Sequence, residues 1–265
     1  MAMSMTATRP QVETAAPVPM LLRQVRFELL MMARTPSFLV SSLVVPLILF
    51  AVVGLTSGNH PGAEIARVHA LASFATYGTV SVLLYSFGSR VAVERGQRIN
   101  VLMRATPVPL AVSVLAKVIT ALFFALVMLM LLGVFAVTVG SIQLDAGTWA
   151  TLWIRLLLGS LPFIALGLAI GYRASPTAAA PIFNLIYLLL SFASGIFVPI
   201  SQLPDFVQHL ATYLPLYWLG QLAWNAVGIS TPPVTDAIKW LVIYGAIFTF
   251  SAARALRTEE QRTFG

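Results

Sequence analysis

The chain of 265 residues has no cysteine and little charge: 16 Lys and Arg against 9 Asp and Glu, 9% charged residues in all. Without thiols there can be no disulfide and no cysteine-ligated metal centre. So little charge excludes a water-facing globular surface, which draws about a quarter of its residues from Asp, Glu, Lys and Arg. The long apolar runs contain no Asp or Glu, so the buried carboxylates of a proton-coupled carrier are missing. Catalytic signatures are missing too: there is no His-Glu-x-x-His, no Gly-x-Ser-x-Gly and no Walker phosphate loop. His60 and His69 stand nine residues apart without a carboxylate cluster, which reads as ordinary loop histidines and no metal site. Finally, no convincing internal repeat appears, which weighs against inverted-repeat carriers.

What the chain does contain is apolar. Hydrophobic residues make up 58% of it and the mean hydropathy is +0.89. The apolar runs far exceed the ~10 residues of a barrel strand, so the chain reads as an all-α integral membrane protein. Six transmembrane helices are predicted, at about 37–56, 69–89, 110–139, 148–172, 178–198 and 237–254. They form a single domain over 20–257, between a disordered N-terminus (1–19) and a short polar tail (258–265). Residues 1–19 lack the compact apolar stretch of a cleavable signal peptide.

Met20 to Arg34 alternates basic and apolar residues with helical spacing. Arg23, Arg26 and Arg34 suit headgroups while Leu22, Phe27, Leu30 and Met31 dip into lipid, an amphipathic interfacial helix. Between spans two and three, Arg90 to Pro109 is the most charged stretch. Its Val91–Ala105 portion, with Ile99, Leu102 and Met103 at helical spacing, predicts a short amphipathic surface helix; a plain basic loop that sets topology is the alternative. Between spans five and six, prolines at 199, 204, 215, 232 and 233 leave room for two half-helices, 203–214 and 216–227, re-entrant or extracellular.

Polar residues inside the spans are few. Asn184, Tyr187, Ser191 and Ser194 recur at spacings of three and four along span five, lining either a substrate path or a packing seam. Thr79 is one of several hydroxyls in span two. Arg155 falls roughly two turns inside span four, and either snorkels to headgroups beside Trp149 and Trp153 or faces a pathway. Twelve of the 16 basic residues lie on the side of the termini and the 90–109 loop. The positive-inside rule makes that side cytoplasmic. The net charge of +7 is therefore an orientation signal, not a nucleic-acid surface.

Two stretches resemble type-2 ATP-binding-cassette (ABC) exporter permeases. One is Glu94-Arg95-Gly96 followed by Leu102, Ala105, Thr106-Pro107-Val108 and Lys117. The other is Ser194-Gly195-Ile196-Phe197-Val198-Pro199-Ile200, with Leu203-Pro204 and Leu214-Pro215-Leu216 after it. The likeness runs from Met20 to Arg257. It implies a homodimer, or a pair with a similar permease, on two cytoplasmic ATPase subunits that hold the ATP and Mg; this chain would carry no cofactor and no catalytic residue. It also implies that the 91–105 helix is a coupling helix. Glu94, Arg95, Gly96, Arg98 and Leu102 would meet the ATPase, with Arg23, Arg26 and Glu28 alongside. One departure is Gln97-Arg98 where relatives often place an acidic residue. The expected function is ATP-driven export of a hydrophobic or amphipathic small molecule (drug, antibiotic or lipid) across the cytoplasmic, inner membrane. Polysaccharide export and a non-transporting membrane anchor are the alternatives.

Overall fold

The computed structural model describes residues 17–56, 62–97, 109–230 and 232–264, and among these all regular structure is helical. Residues 1–16 of the expected disordered N-terminus lie outside that range. Helix α1 (Pro17–Ala33) starts earlier than the expected Met20. Its outward face carries Leu22, Phe27, Leu30 and Met31, while Glu28 and Met32 turn inward and are buried.

The first span joins α2 (Pro36–Leu39), a π-helical turn (Val40–Val44) and α3 (Val45–Leu55). The wide turn stands just before Pro46, whose ring can neither donate to nor pack on the carbonyl four residues back. Ser81 of the next span donates to the Ser41 carbonyl at 3.5 Å.

The second span is the axis of the molecule. Helix α4 (Ala63–Leu84) runs through another π-helical turn (Tyr85–Ser89) into α5 (Arg90–Gly96). The continuous Ala63–Gly96 rod has 34 residues, and 88% of its most apolar 18-residue stretch is buried. At 1.5 Å per residue it is roughly 50 Å long, well beyond the ~30 Å of a hydrocarbon core. The expected boundary at Ser89 is therefore corrected: residues 90–96 prolong span two instead of starting a separate surface helix. The rest of the expected coupling helix, including Arg98 and Leu102, lies outside the described residues.

Helix α6 (Leu110–Thr138) forms the third span. The fourth is α7 (Ala146–Gly159) and α8 (Leu161–Gly171), broken at Ser160 by Pro162. Asp145 caps α7 by accepting from the Thr148 amide at 3.0 Å and from its hydroxyl. Those bonds hold the Asp145 carboxyl below its usual range, the hydroxyl bond most. The cap therefore acts above the ordinary carboxylate range and fades as pH falls through the lowered value.

Helix α9 (Ala179–Ala193) has 15 residues, roughly 22 Å, shorter than a hydrocarbon core. The expected span 178–198 is corrected at its end. Gly195 adopts φ +79°, its amide bonds to Phe192 O, and the Ile196 amide reaches back to Ser191 O. This is a Schellman stop, and glycine fits its left-handed residue without a Cβ penalty. A 3-10 turn (Ile200–Gln202), α10 (Asp205–Ala211) and α11 (Pro215–Ala226) follow, and α12 (Val234–Phe264) ends the fold. Helix α11 is largely buried against α4, α7 and α12. Five stretches among the described residues are long and apolar enough to cross a membrane: Pro36–Gly54, Ala63–Gly96, Ala111–Thr138, Ala146–Gly171 and Val234–Thr258.

The π-turn of span two packs on α8 through glycines. A Cβ at Gly171 would stand 2.7 Å from the Gly88 carbonyl oxygen and 3.0 Å from that of Phe87. Backbone cannot swing aside as a side-chain tip can. Gly171→Ala is expected to cost about 1–3 kcal/mol by overpacking, read as a lower unfolding temperature of the purified protein in detergent. An unchanged midpoint would contradict this packing.

Candidate functional site

The ion pairs among the described residues gather where the second span ends. Arg90 and Glu94 are one helical turn apart on α5 and pair at 2.9 Å. Lys117, two turns into α6, lies 2.7 Å from Glu94 Oε1 and 3.0 Å from Glu28 Oε1 of α1. Arg90 Nη2 closes the ring at 2.6 Å from Glu28 Oε2, an ion pair lying off the direction of a hydrogen bond. Two cations thus face two carboxylates, and the four side chains are only 3–15% exposed. Neutrality and mutual pairing are what allow this much charge to leave water.

The next two residues reach the other way. Arg95 donates to the carbonyls of Tyr172 and, at 2.6 Å, Ala174, just past the C-terminus of α8. Carbonyls at a helix C-terminus lack intrahelical donors and attract a cation. Gly96 packs against Pro176 so closely that a Cβ would collide with its ring. Arg173, in the same turn, donates to Ala169 O at 2.7 Å and to Ser251 O of α12 at 3.1 Å. The Glu94-Arg95-Gly96 triplet therefore braces α1, α6 and the α8–α9 turn against the base of span two, and Arg173 extends the brace to α12.

Arg23 and Arg26 are exposed on α1. Glu28 is not on that surface: it sits inside the charged ring. Arg90 and Lys117 are members that sequence reasoning assigned no role. The signal was there, because a lysine two turns inside an apolar span demands a partner.

The polar stripe of span five divides. Tyr187 is buried, stacks on Tyr77 at 4.7 Å and donates to the Tyr77 carbonyl. Ser191 is buried and donates to Tyr187 O at 2.7 Å. The Ser194 hydroxyl is buried without a hydrogen-bond partner among the described residues. Asn184 is exposed, since burial follows the row Phe183, Tyr187, Ser191 and Asn184 lies about 100° round from Phe183. Thr79 donates to Ala75 O at 2.8 Å within its own helix. Arg155 is far from the stripe, donating to Asn225 Oδ1 of α11 at 2.7 Å. Sequence reasoning also missed the link between α11 and span two, where Trp224 Nε1 donates to Ser73 Oγ at 2.9 Å and its ring stacks on His69.

An all-helical chain with several membrane-crossing stretches, clamped by a charged ring at one end of its central helix, is a multi-pass membrane protein. Residues 24–227 match the family described as ABC-2 type transporter. The chain belongs to that family. It is 27% identical over 228 residues to a protein of Bacillus subtilis (strain 168) named "Putative transport permease YvfS", covering 86% of this chain and 93% of the relative. Membership makes it a membrane permease subunit of a transport system, and the family implies an ABC ATPase as its working partner.

Proposed function

We propose that the chain is the permease of an ATP-driven exporter in the cytoplasmic, inner membrane, with both termini cytoplasmic. Two permease copies, or this chain with a similar one, would sit on two ATPase subunits that bind the ATP and Mg. The short α9 would be a sixth crossing, completed by the residues that follow it. Arg98 and Leu102, with the exposed Arg23 and Arg26, would meet the ATPase, and Glu28, Glu94, Arg95 and Gly96 would pass its movement into the spans. The observation that carries this reading is the braced base of span two. A push on the loop after Gly96 is transmitted at once to α1, α6 and the α8–α9 turn, because all are tied to residues 90–96.

The cargo we propose is a hydrophobic or amphipathic small molecule. Most polar groups near the axis are weak, namely Thr79, Tyr187, Ser191 and the Ser194 hydroxyl, which is unpaired among the described residues, with Asn184 at the edge. One observation favours polysaccharide or another polar polymer: Phe74, Tyr77, Tyr187, Phe192 and Phe197 form a continuous aromatic cluster with neighbouring centroids 4.7–6.0 Å apart. Of these rings Phe192 is the exposed one, and a sugar ring would meet the cluster there.

The natural absence of cysteine makes the test clean. Arg98→Cys carries the only thiol of this chain for a crosslinker. Purification from the native membrane in mild detergent is expected to recover an ATP-binding subunit joined through residue 98. Efflux from inverted vesicles should then depend on that partner's ATP hydrolysis. A quantitatively labelled residue 98 with no ATPase attached would overturn the exporter reading and leave a membrane anchor.

A further inference from the structure

Outside the charged ring and the aromatic cluster, one cavity stands out. Pro162 breaks the fourth span, so that α8 packs along α12 while α7 leans away from it. The gap between α7 and α12 is floored by Leu222 of α11 and forms a groove of about 590 Å³, open at the side. That volume lies within the ~300–1,000 Å³ of ordinary ligand sites. Its walls are apolar, including the exposed Ile154, Leu158, Ile238 and Val242. Arg155 stands at the end nearest α11 and carries the groove's positive charge.

Three features select the occupant. First, Arg155 is held by the neutral amide of Asn225 and has no carboxylate partner among the described residues, so its charge is unanswered. Asn225 is in turn tied to the Ser230 carbonyl at 3.4 Å, which fixes the guanidinium at that end. Secondly, Ile238 to Thr249 along α12 spans roughly 16 Å, close to the ~15 Å depth of one bilayer leaflet. Thirdly, a second copy of this chain has little to bring to Arg155, because the carboxylates of the apolar spans, Glu64, Glu94 and Asp236, stand near the ends of those spans and not along them.

We propose that this groove binds an anionic phospholipid, its phosphate on Arg155 and one acyl chain laid along α12 past Pro162 and Gly245. A guanidinium recognises phosphate through parallel N–H donors, which a zwitterionic headgroup partly neutralises with its own cation. The glycine at 245 keeps the lower groove open, since a Cβ there would meet Pro162 only at 3.6 Å and beyond.

The test is native mass spectrometry of the purified full-length protein, titrated with dioleoylphosphatidylglycerol or dioleoylphosphatidylcholine. The wild type is expected to retain the anionic lipid about tenfold better, the scale of one charge-assisted contact. Arg155→Gln should bring the two lipids to near equality, while Arg155→Lys, which keeps the charge and loses the parallel donors, keeps an intermediate preference. Gly245→Leu, which fills the groove and leaves Arg155 in place, should weaken both lipids. Equal retention of both lipids by the wild type would overturn the site. So would full preference in Arg155→Gln, or unaltered binding in Gly245→Leu. Exclusion of both lipids by a second copy, seen as a dimer that neither lipid enters, would also overturn it. The measurement uses neither ATPase nor cargo, so its outcome is separate from that of the exporter reading.

Discussion

Lys117→Met is expected to uncouple the protein and to destabilise it by about 3 kcal/mol, the lower end for breaking a buried ion pair. The lower end applies because Lys117, Arg90 and Glu94 keep 12–15% exposure. In the native ring each carboxylate touches two cations. Without Lys117, Glu28 and Glu94 share Arg90 alone, and one negative charge is left unpaired in a largely buried site. The carboxylates then repel each other, and the cheapest relief is separation of α1 from the base of span two. On the proposed reading, export should fall at least tenfold while the ATPase still crosslinks at position 98, since Lys117 is not among the residues proposed to meet it.

The double variant Lys117→Met with Glu94→Gln separates charge from packing. It leaves the Glu28–Arg90 pair neutral, so its loss of stability should be smaller than the sum of the two single losses. Thermal unfolding of the four proteins gives the cycle. Additive losses would mean that the two side chains act independently, and the ring would then be a coincidence of geometry.

The second large effect is expected at Arg95. Its guanidinium spans the backbone carbonyls of Tyr172 and Ala174 just past the end of α8, and Arg95→Met removes both bonds. Bonds from a charged group contribute about 1.5–3 kcal/mol each, and partial exposure here places the combined loss at about 2–3 kcal/mol. Lysine is a poor replacement because one ammonium cannot reproduce the planar fork that meets both oxygens. The local signature is hydrogen exchange: amides at 178 and 179, which bond back to Ser175 O, should exchange faster in Arg95→Met while those of α6 do not. Uniform acceleration across the protein would show that Arg95 supports global stability only. An unchanged 173–179 segment would show that the turn is held by other contacts.

These two positions show how far the chain could be read. The Glu-Arg-Gly triplet was visible as a motif, and the likeness to ABC permeases led to the family that residues 24–227 match. The same motif pointed outward, toward a partner. In the folded chain Glu94, Arg95 and Gly96 all make inward contacts with α6 and the α8–α9 turn. The difference is one of distance along the chain. Glu94 lies 23 residues from Lys117, Arg95 lies 77 from Tyr172, and Lys117 lies 89 from Glu28. Periodicity and local spacing carry no information about pairings of that range.

Composition and hydropathy by themselves determined that the chain is helical and membrane-embedded, because an apolar run of such length has no other way to satisfy its backbone. Only the tertiary structure decided that span two continues to Gly96, that α9 stops short at Gly195, and that four charges close on one another at the base. Helix formation depends on neighbours three and four residues away, which a sequence displays. A buried charge is stable only when its partner stands within a few ångströms, and that partner is chosen by how the helices pack.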